Sequence, residues 1–364
     1  MEEFEIFAAA PPGLEPMLLP EFRALGYKDA RYGPGGVTMV GTWADVWRLN
    51  LELRGASRVL ARIGTFRASH LNVLAQRAAE FDWNAVLPRG VAVRVEVTCA
   101  RSKIYHEGAA KERIGKAMAG AGLRMESEAE LRLLVRIERN VVTLSLDTSG
   151  ALLHKRGHKE AVGKAPIRET MAALFLRAMG FDGTQRVMDP MCGSGTFLIE
   201  AAEIACGAQA GRSRDFAFQH FVGFDAEAFA EMRRSLGPVT GPPLAFGSDR
   251  DAGAIRSASA NAARAGVEEL CAFSHHAVSD ASPPDGPPGI VIVNPPYGGR
   301  VGQKKQLFAL YGALGKTLTA RFGGWKVGII TSEPSLAKAT GLKLMQGPKV
   351  PHGGLNIWLF QSQL

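Results

Sequence analysis

Residues 290–298 read Ile-Val-Ile-Val-Asn-Pro-Pro-Tyr-Gly. Four consecutive β-branched residues carry no polar face, so the run predicts a strand covered on both sides, as in a parallel sheet flanked by helices. It passes directly into two prolines, which fix the backbone and donate no hydrogen bonds. An exocyclic amine of a nucleobase has N–H donors and a lone pair delocalised into the ring. To attack a methyl group it must be held by acceptors that favour a pyramidal nitrogen. The side-chain oxygen of Asn294 and the backbone carbonyl of Pro295 are suited to that task, Pro296 keeps the turn rigid, and Tyr297 offers a face for a base taken out of its stack. Taken alone, Asn-Pro-Pro-Tyr is equally well a rigid turn, so its meaning depends on its context.

About a hundred residues upstream stands Val187-Met188-Asp189-Pro190-Met191-Cys192-Gly193-Ser194-Gly195-Thr196. A strand that ends in an acid and turns through Gly-x-Gly into a helix puts backbone N–H groups at the carboxyl edge of a sheet, where open α/β folds bind ligands. A dinucleotide fold wants a third glycine where Leu198 stands, and Asp189 would repel a phosphate. S-adenosylmethionine has no phosphate and carries a cationic amino group and a sulfonium, which Asp189 favours. Pro190, Cys192, Gly193, Gly195 and Thr196 complete the candidate cofactor turn. The next strand ends at Gly247-Ser248-Asp249-Arg250-Asp251, where Asp249, with Arg250 beside it, is placed to accept hydrogen bonds from a ribose diol; Asp249 or Asp251 is equally a helix N-cap. In this order the three motifs predict methylation of a base amine by in-line displacement, favoured by positioning and needing no metal. Cys192 sits in the cofactor turn, and Asn294 occupies the place a cysteine nucleophile would take, so thiol catalysis is not indicated.

Around these motifs the chain alternates strand and helix, the pattern of a parallel sheet covered on both faces. The strands expected are 186–188, 244–246, 272–275, 290–293 and 327–331, with a late antiparallel one over 355–360; helices are expected over 196–205, 252–265 and around Leu307 to Leu318. Residues 207–243 fit no repeat and read as an insertion, whose phenylalanines 216, 218, 221 and 224 are better suited to packing than to base stacking. A basic, glycine-containing stretch over 150–165 marks a boundary. Before it lie a small mixed unit of about 60 residues and an α+β module. In that module Val91, Val93, Val95, Val97 and Cys99 alternate with polar or small residues as in a half-buried strand, and a helix over 71–86, a helix over 106–121 and a hairpin around Glu138-Arg139-Asn140 surround it.

Composition bounds the function classes. The 364 residues are 46% hydrophobic and 21% charged, as in a folded protein, and contain no run long enough to span a bilayer. The N-terminus MEEFEIFAAAPPG is acidic and lacks a signal-peptide core, which predicts a cytoplasmic protein. Cys99, Cys192, Cys206 and Cys271 form no CxxC pair and the eight histidines no ligand pattern, so neither zinc nor a disulfide framework is expected. Between Arg54 and Arg124 there are 13 Lys or Arg against 5 Asp or Glu, a surplus equal to the whole chain's net charge of +8. Such a stretch attracts a polyanion unless it is merely a solvated surface.

DPMCGSGTFLIEAA, GSDRD and VNPPYGGR, together with PPGLE, LELRGASRVLARI and LDTSGALLHKRGHKEAVGKAPIRETMAA upstream, resemble the bacterial THUMP-containing 23S ribosomal RNA guanine-N2 methyltransferases over nearly the whole chain. Similar proteins are often called N6-adenine-specific DNA methylases. The resemblance implies an α/β architecture: a ferredoxin-like domain over 1–65, a THUMP RNA-binding domain over 66–155 and a Rossmann-like methyltransferase domain over 156–364. It further implies S-adenosylmethionine as cofactor, ribosomal RNA as partner, and contacts from Asp189, Gly193 and Gly195 to the methionine portion, from Asp249 to the ribose and from Asn294 to Tyr297 to the target amine. Residues 165–170, including Pro166 and Thr170, match an N-terminal cofactor motif or simply start a helix. Gly299 stands where an acid is common. The acid expected after the third strand, near the cofactor adenine, has Ala277 in its place and Asp280 as the nearest candidate. Longer members carry a second methyltransferase domain that these residues do not include. An N6-adenine methyltransferase and an RNA-binding protein with an inactive domain are the rival readings.

Overall fold

Strand β4 (Arg58–Arg67), which the sequence conceals, organises the N-terminal half. Its face carries arginines where an alternating strand would show polar neutral residues: Arg58 is neutralised by Asp147 and Arg62 by Glu5, so charge is consumed within the sheet. One edge of β4 pairs antiparallel with β1 (Phe4–Ala9) and the other with β8 (Val141–Asp147), with a bulge between Arg62 and Gly64. The structure, a computed structural model, describes residues 3–159, 167–298 and 304–364.

The first unit runs β1, α1 (Glu15–Ala24), β2 (Arg31–Gly33), β3 (Gly36–Gly41), α2 (Trp43–Glu52), β4. The second runs α3 (Leu71–Glu80), β5 (Ala92–Ala100), α4 (Glu107–Gly120), β6 (Arg124–Met125), β7 (Leu131–Glu138), β8. Residue 65, where the two units were expected to part, lies inside β4, and both units share one eight-stranded sheet of order β2-β3-β1-β4-β8-β7-β5-β6. The helix expected over 71–86 stops at Glu80. Asp82 then accepts a hydrogen bond from the Ala85 N–H at 3.2 Å and starts a separate 3-10 turn, Trp83–Ala85.

The C-terminal half comprises α5 (Glu169–Ala178), β9 (Val187–Asp189), α6 (Thr196–Ala205), α7 (Ala226–Met232), β10 (Ala245–Asp249), α8 (Ala252–Ala265), β11 (Cys271–His275), β12 (Ile290–Val293), α9 (Lys304–Arg321), β13 (Lys326–Thr331), α10 (Pro334–Ala339), β14 (Met345–Gln346), β15 (Val350–His352) and β16 (Leu355–Gln363). Its main sheet has the order β11-β10-β9-β12-β13-β16-β14, parallel from β11 to β13 and with β16 antiparallel to β13, as expected for the late strand. All four residues of β12 are buried. Ile290 and Ile292 join the core that includes Leu174 and Leu198 of α5 and α6, while Val291 and Val293 join Tyr311, Leu314 and Leu318 of α9. The strand is therefore covered on both sides, which is why it has no polar face. Strand order reverses between β9 and β12, so a crevice opens at their carboxyl ends. Among the described residues no helix is long and apolar enough to cross a membrane.

Two devices hold the halves together. Residues 207–243 form an aromatic clasp: Phe218 and Phe224 pack on Trp47 of α2 with ring centroids 6.2 and 5.4 Å away, and Phe221 on Trp43 at 5.7 Å. Phe216, Phe218 and Phe221 are buried and Phe224 half-buried, so they serve packing. The second device is ionic. The buried guanidinium of Arg54, just after α2, donates to Glu200 at 2.6 Å and Glu203 at 3.1 Å, both on α6. Burial works against its charge, yet Glu200 and Glu203 outweigh that and hold the guanidinium above its ordinary pKa. Arg156 adds a 3.1 Å bond to Glu200 and Arg212 a 2.5 Å bond to Glu203.

Removing one member of such a cluster strands buried carboxylates. Arg54→Ala should cost about 3–5 kcal/mol in urea denaturation, whereas Arg77→Ala, which breaks the exposed Arg77–Glu80 pair, should cost less than about 1 kcal/mol. Equal losses would show that the buried cluster is not what joins the halves.

Candidate functional site

At the carboxyl end of β9 the chain has to leave the sheet and start α6 within a few residues. It does so through two glycines with positive φ, +53° at Gly193 and +82° at Gly195, the second of which is the N-cap of α6. A Cβ at Gly195 would lie 3.1 Å from Ala258 of α8, so that turn is closed to larger residues, whereas at Gly193 nothing lies within 4 Å and the loop faces open space. Asp189, 3% exposed, accepts one hydrogen bond, from the Met191 N–H at 3.0 Å. Burial, and to a lesser degree the charge of Asp249, push its carboxyl up to about 8 against that bond. A buried acid in this condition favours the approach of a cation.

Asp249 ends β10 alongside. Its carboxylate accepts from the Gly193 N–H at 3.1 Å and from the Asp251 N–H at 2.9 Å, so it braces the glycine turn while each oxygen keeps a free lone pair. Asp251 accepts from the Gly253 N–H at 2.7 Å and is the N-cap of α8, the structural alternative weighed for it. Arg250 is exposed; its backbone carbonyl, not its guanidinium, meets a ring nitrogen of His275 at 3.1 Å. Pro190 is buried, as is Cys192, whose thiol is raised far above its usual range by burial, then by Asp189 and Asp249. That thiol stays protonated, in keeping with a packing role. Cys99, Cys206 and Cys271 are free thiols too, but half-buried rather than buried.

On the other side of the crevice β12 delivers Asn294. The Oδ1 atom of Asn294 and the hydroxyl of Tyr297 are shielded from solvent and have no hydrogen-bond partner among the described residues. An unpaired buried polar atom costs about 1–3 kcal/mol, so two such atoms three residues apart at a ligand crevice are expected to be satisfied by something bound. Pro295 is buried, Pro296 exposed, and the turn is tied down where the Gly298 N–H donates to Glu333 at 3.3 Å. Beside Tyr297 opens a cavity of about 710 Å³ whose wall includes Lys155, Lys159, Arg168, His154 and His352. Burial first, then Arg168 and its basic neighbours, bring His154 down to about 4, so it is neutral amid cations. A second cavity of about 740 Å³, lined by Arg212, Arg233 and Arg234 against α8, has no motif residue at its rim.

Three residues not singled out from the sequence belong to this neighbourhood. Lys159 donates to Thr196 Oγ1 at 2.8 Å and pairs with Glu169 at 3.0 Å, linking the first turns of α6 and α5. Ser248 is 1% exposed and its hydroxyl has no partner among the described residues, one residue before Asp249. Glu333 fixes the end of the proline turn. Only the basic density around 155–159 hinted at the first; buried Ser248 and distant Glu333 have no local signature. Thr170 is buried in the first turn of α5. Asp280 is exposed in a 3-10 turn after β11. Pro166 and Gly299 lie outside the described residues.

Two family models match the chain: "RMKL-like, methyltransferase domain" over residues 156–356 and "RlmL ferredoxin-like domain" over 5–60. A ribosomal RNA large subunit methyltransferase K/L of Syntrophotalea carbinolica is 34% identical over 99% of this chain and 53% of its own length. The chain spans about half the length of the curated relatives it matches. Among solved structures, a protein of Clostridium difficile 630 described as a "possible methylase" superposes with a TM-score of 0.87 at 29% identity, covering 100% of this chain and 98% of that one. A protein described as "a putative methyltransferase complexed with SAH" superposes with a TM-score of 0.85 at 27% identity, covering 100% of this chain and 98% of that one.

The raised carboxyl of Asp189 sets a stability prediction. Its folded pKa of about 8 lies above the ordinary 3.8, so the folded state keeps a proton that the unfolded chain loses between those values. Its contribution is therefore fully present below about pH 4 and is lost as pH rises through 8. Asp189→Asn, which keeps the acceptor for Met191, should melt roughly 2–5 °C above the parent at pH 8 and lose that advantage towards pH 4. A variant less stable at pH 8 would contradict the burial penalty.

Proposed function

This chain belongs to the RMKL-like methyltransferase family, and we propose that it methylates an exocyclic base amine in RNA, N2 of a guanine in 23S ribosomal RNA, with S-adenosylmethionine as donor. The observation that carries the reading is Asn294 Oδ1, without a partner among the described residues, at the carboxyl end of β12, across the sheet's switch point from buried Asp189. An acceptor without a donor and an acid without a cation, one on each side of a crevice, match a substrate that brings N–H groups and a cofactor that brings a positive amino group. The relative solved with SAH supports the choice of cofactor, and the ribosomal RNA methyltransferases among the relatives support the substrate.

The residues fit that donor. Asp189 would hold the amino group, Gly193 and Gly195 would let backbone approach the methionine portion, and Asp249 would receive the ribose hydroxyls on its free lone pairs. When bound, S-adenosylmethionine supplies a methyl group on a sulfonium, an electrophile that needs no further activation. What remains for the protein is to place the nucleophile. Asn294 Oδ1 and the Pro295 carbonyl accept the two amine N–H groups and draw the nitrogen lone pair out of conjugation, while the Tyr297 ring supports the base and the two prolines prevent the acceptors from following it. The cations beside Tyr297 suit the phosphates flanking an extruded nucleotide. Residues 66–155, which resemble a THUMP domain, would bind the surrounding RNA.

Asn294→Ala should lower single-turnover methyl transfer by about 10²–10³-fold and leave S-adenosylmethionine affinity, read by calorimetry, within about threefold, since the side chain touches only the amine. Mass mapping of nucleosides in ribosomal RNA from cells with and without the protein should show one N2-methylguanosine lost. Loss of N6-methyladenine instead would replace the proposed target, and normal turnover by Asn294→Ala would end the acceptor assignment.

A further inference from the structure

The most exposed large apolar side chain among the described residues is Tyr105, at 82%. It does not stand on a loose loop. Ile104 before it is buried at 4%, and His106 after it caps α4 by accepting the Ala109 N–H at 3.0 Å, so the ring is presented outward from two fixed neighbours. An aromatic ring held in water forgoes the burial that would stabilise it, and nothing in the fold requires this one to be exposed.

The backbone around Tyr105 is stapled to two other segments. Asn140 accepts the Lys103 N–H at 2.8 Å on its side-chain oxygen and the Ala68 N–H at 2.9 Å on its carbonyl, and its own N–H donates to Ser102 Oγ at 3.0 Å. The Arg139 N–H donates to the Ala100 carbonyl at 3.3 Å. The end of β4, the segment after β5 and the tip of the β7–β8 hairpin thus form one corner, from which Arg67, Arg101, Lys103 and Arg139 all project exposed. Arg101 and Arg139 lie near enough to Glu138 to act on its carboxylate together with its partner Arg136.

The choice of residue at 139 is informative. Glu138 pairs with Val141, so Arg139-Asn140 is a two-residue hairpin turn, with φ of +50° and +62°. Such turns favour Gly or Asn at both positions because a Cβ is strained there. Arg139 accepts that strain, as does Arg101 at +49° on the facing segment. Two arginines in left-handed backbone, in the same corner as a segment that holds a ring out in water, are not explained by folding.

We propose that this corner is a docking site for an unpaired RNA strand, with a base stacked on Tyr105 and phosphates on Arg101, Lys103, Arg139 and Arg67. The proposal rests on the reading of the chain as an RNA-acting enzyme and deepens it by locating the contact away from the methyl-transfer crevice. An exposed ring on a corner that also carries exposed cations is the pairing that single-stranded nucleic acid recognises, since every base has a stackable face and every linkage a charge.

The test is fluorescence anisotropy with the full chain and a fluorescein-labelled single-stranded RNA of about 12 nucleotides. Tyr105→Ala should weaken binding about tenfold while Tyr105→Phe stays within about twofold of the parent. Arg101→Gln/Lys103→Gln/Arg139→Gln should flatten the slope of log affinity against log salt by about 2. Arg23→Gln/Lys28→Gln/Arg31→Gln, in α1 and around the β2 edge of the sheet, should leave that slope steeper than the corner variant does. If the parent binds and the Tyr105→Ala and corner variants bind as tightly with its slope, the docking site is overturned and the RNA reading stands. If the parent binds no RNA, both fall.

Discussion

The guanidinium of Arg54 has left water almost completely, and its charge is met there by carboxylates buried at least as deeply. Those carboxylates, Glu200 and Glu203, sit on α6, whose first turn is the glycine-bounded corner at the cofactor crevice. The N-terminal sheet is therefore joined to the helix that positions the ligand turn by an interaction that tolerates little displacement. Lys159 and Arg156 extend the same chain of contacts from the inter-unit segment to Thr196 and Glu200. The N-terminal module is by this means referred to the same helix that bounds the cofactor crevice, and the distance between the two becomes a property of one rigid connection.

The crevice itself is assembled from groups left short of partners. Asp189 is buried beside another acid with one backbone N–H for company, and Asn294 Oδ1 and the Tyr297 hydroxyl have none among the described residues. Each is destabilising in isolation, and each has the polarity of something expected to bind opposite it. Asp249 differs: its carboxylate already holds the Gly193 and Asp251 amides, so it shapes the turn.

Much of the catalytic half was legible because its signals are local. A four-residue apolar strand, a Gly-x-Gly turn that only positive φ permits, and a proline corner each declare their conformation within a few residues, and α6, α8 and β12 end where the pattern ends. What stayed hidden depends on partners far along the chain. β4 reads poorly because Arg58 and Arg62 belong on a strand only when Asp147 and Glu5 are across from them. For the same reason the shared sheet was expected as two units. At the site, the neutralisation of Lys159 by Glu169 and the isolation of Ser248 are products of folding that no spacing announces, and Asp249 and Asp251 could be told apart only once their backbone partners were seen.

The aromatic clasp has a consequence for how the chain is made. Trp43 and Trp47 emerge from the ribosome early, yet the rings that cover them arrive with Phe216 to Phe229. At about 5–20 residues per second the interval is roughly 10–40 s. During it the nascent first sheet carries an indole-rich flank open to solvent, which makes that flank a natural landing place for a holdase until synthesis supplies its cover.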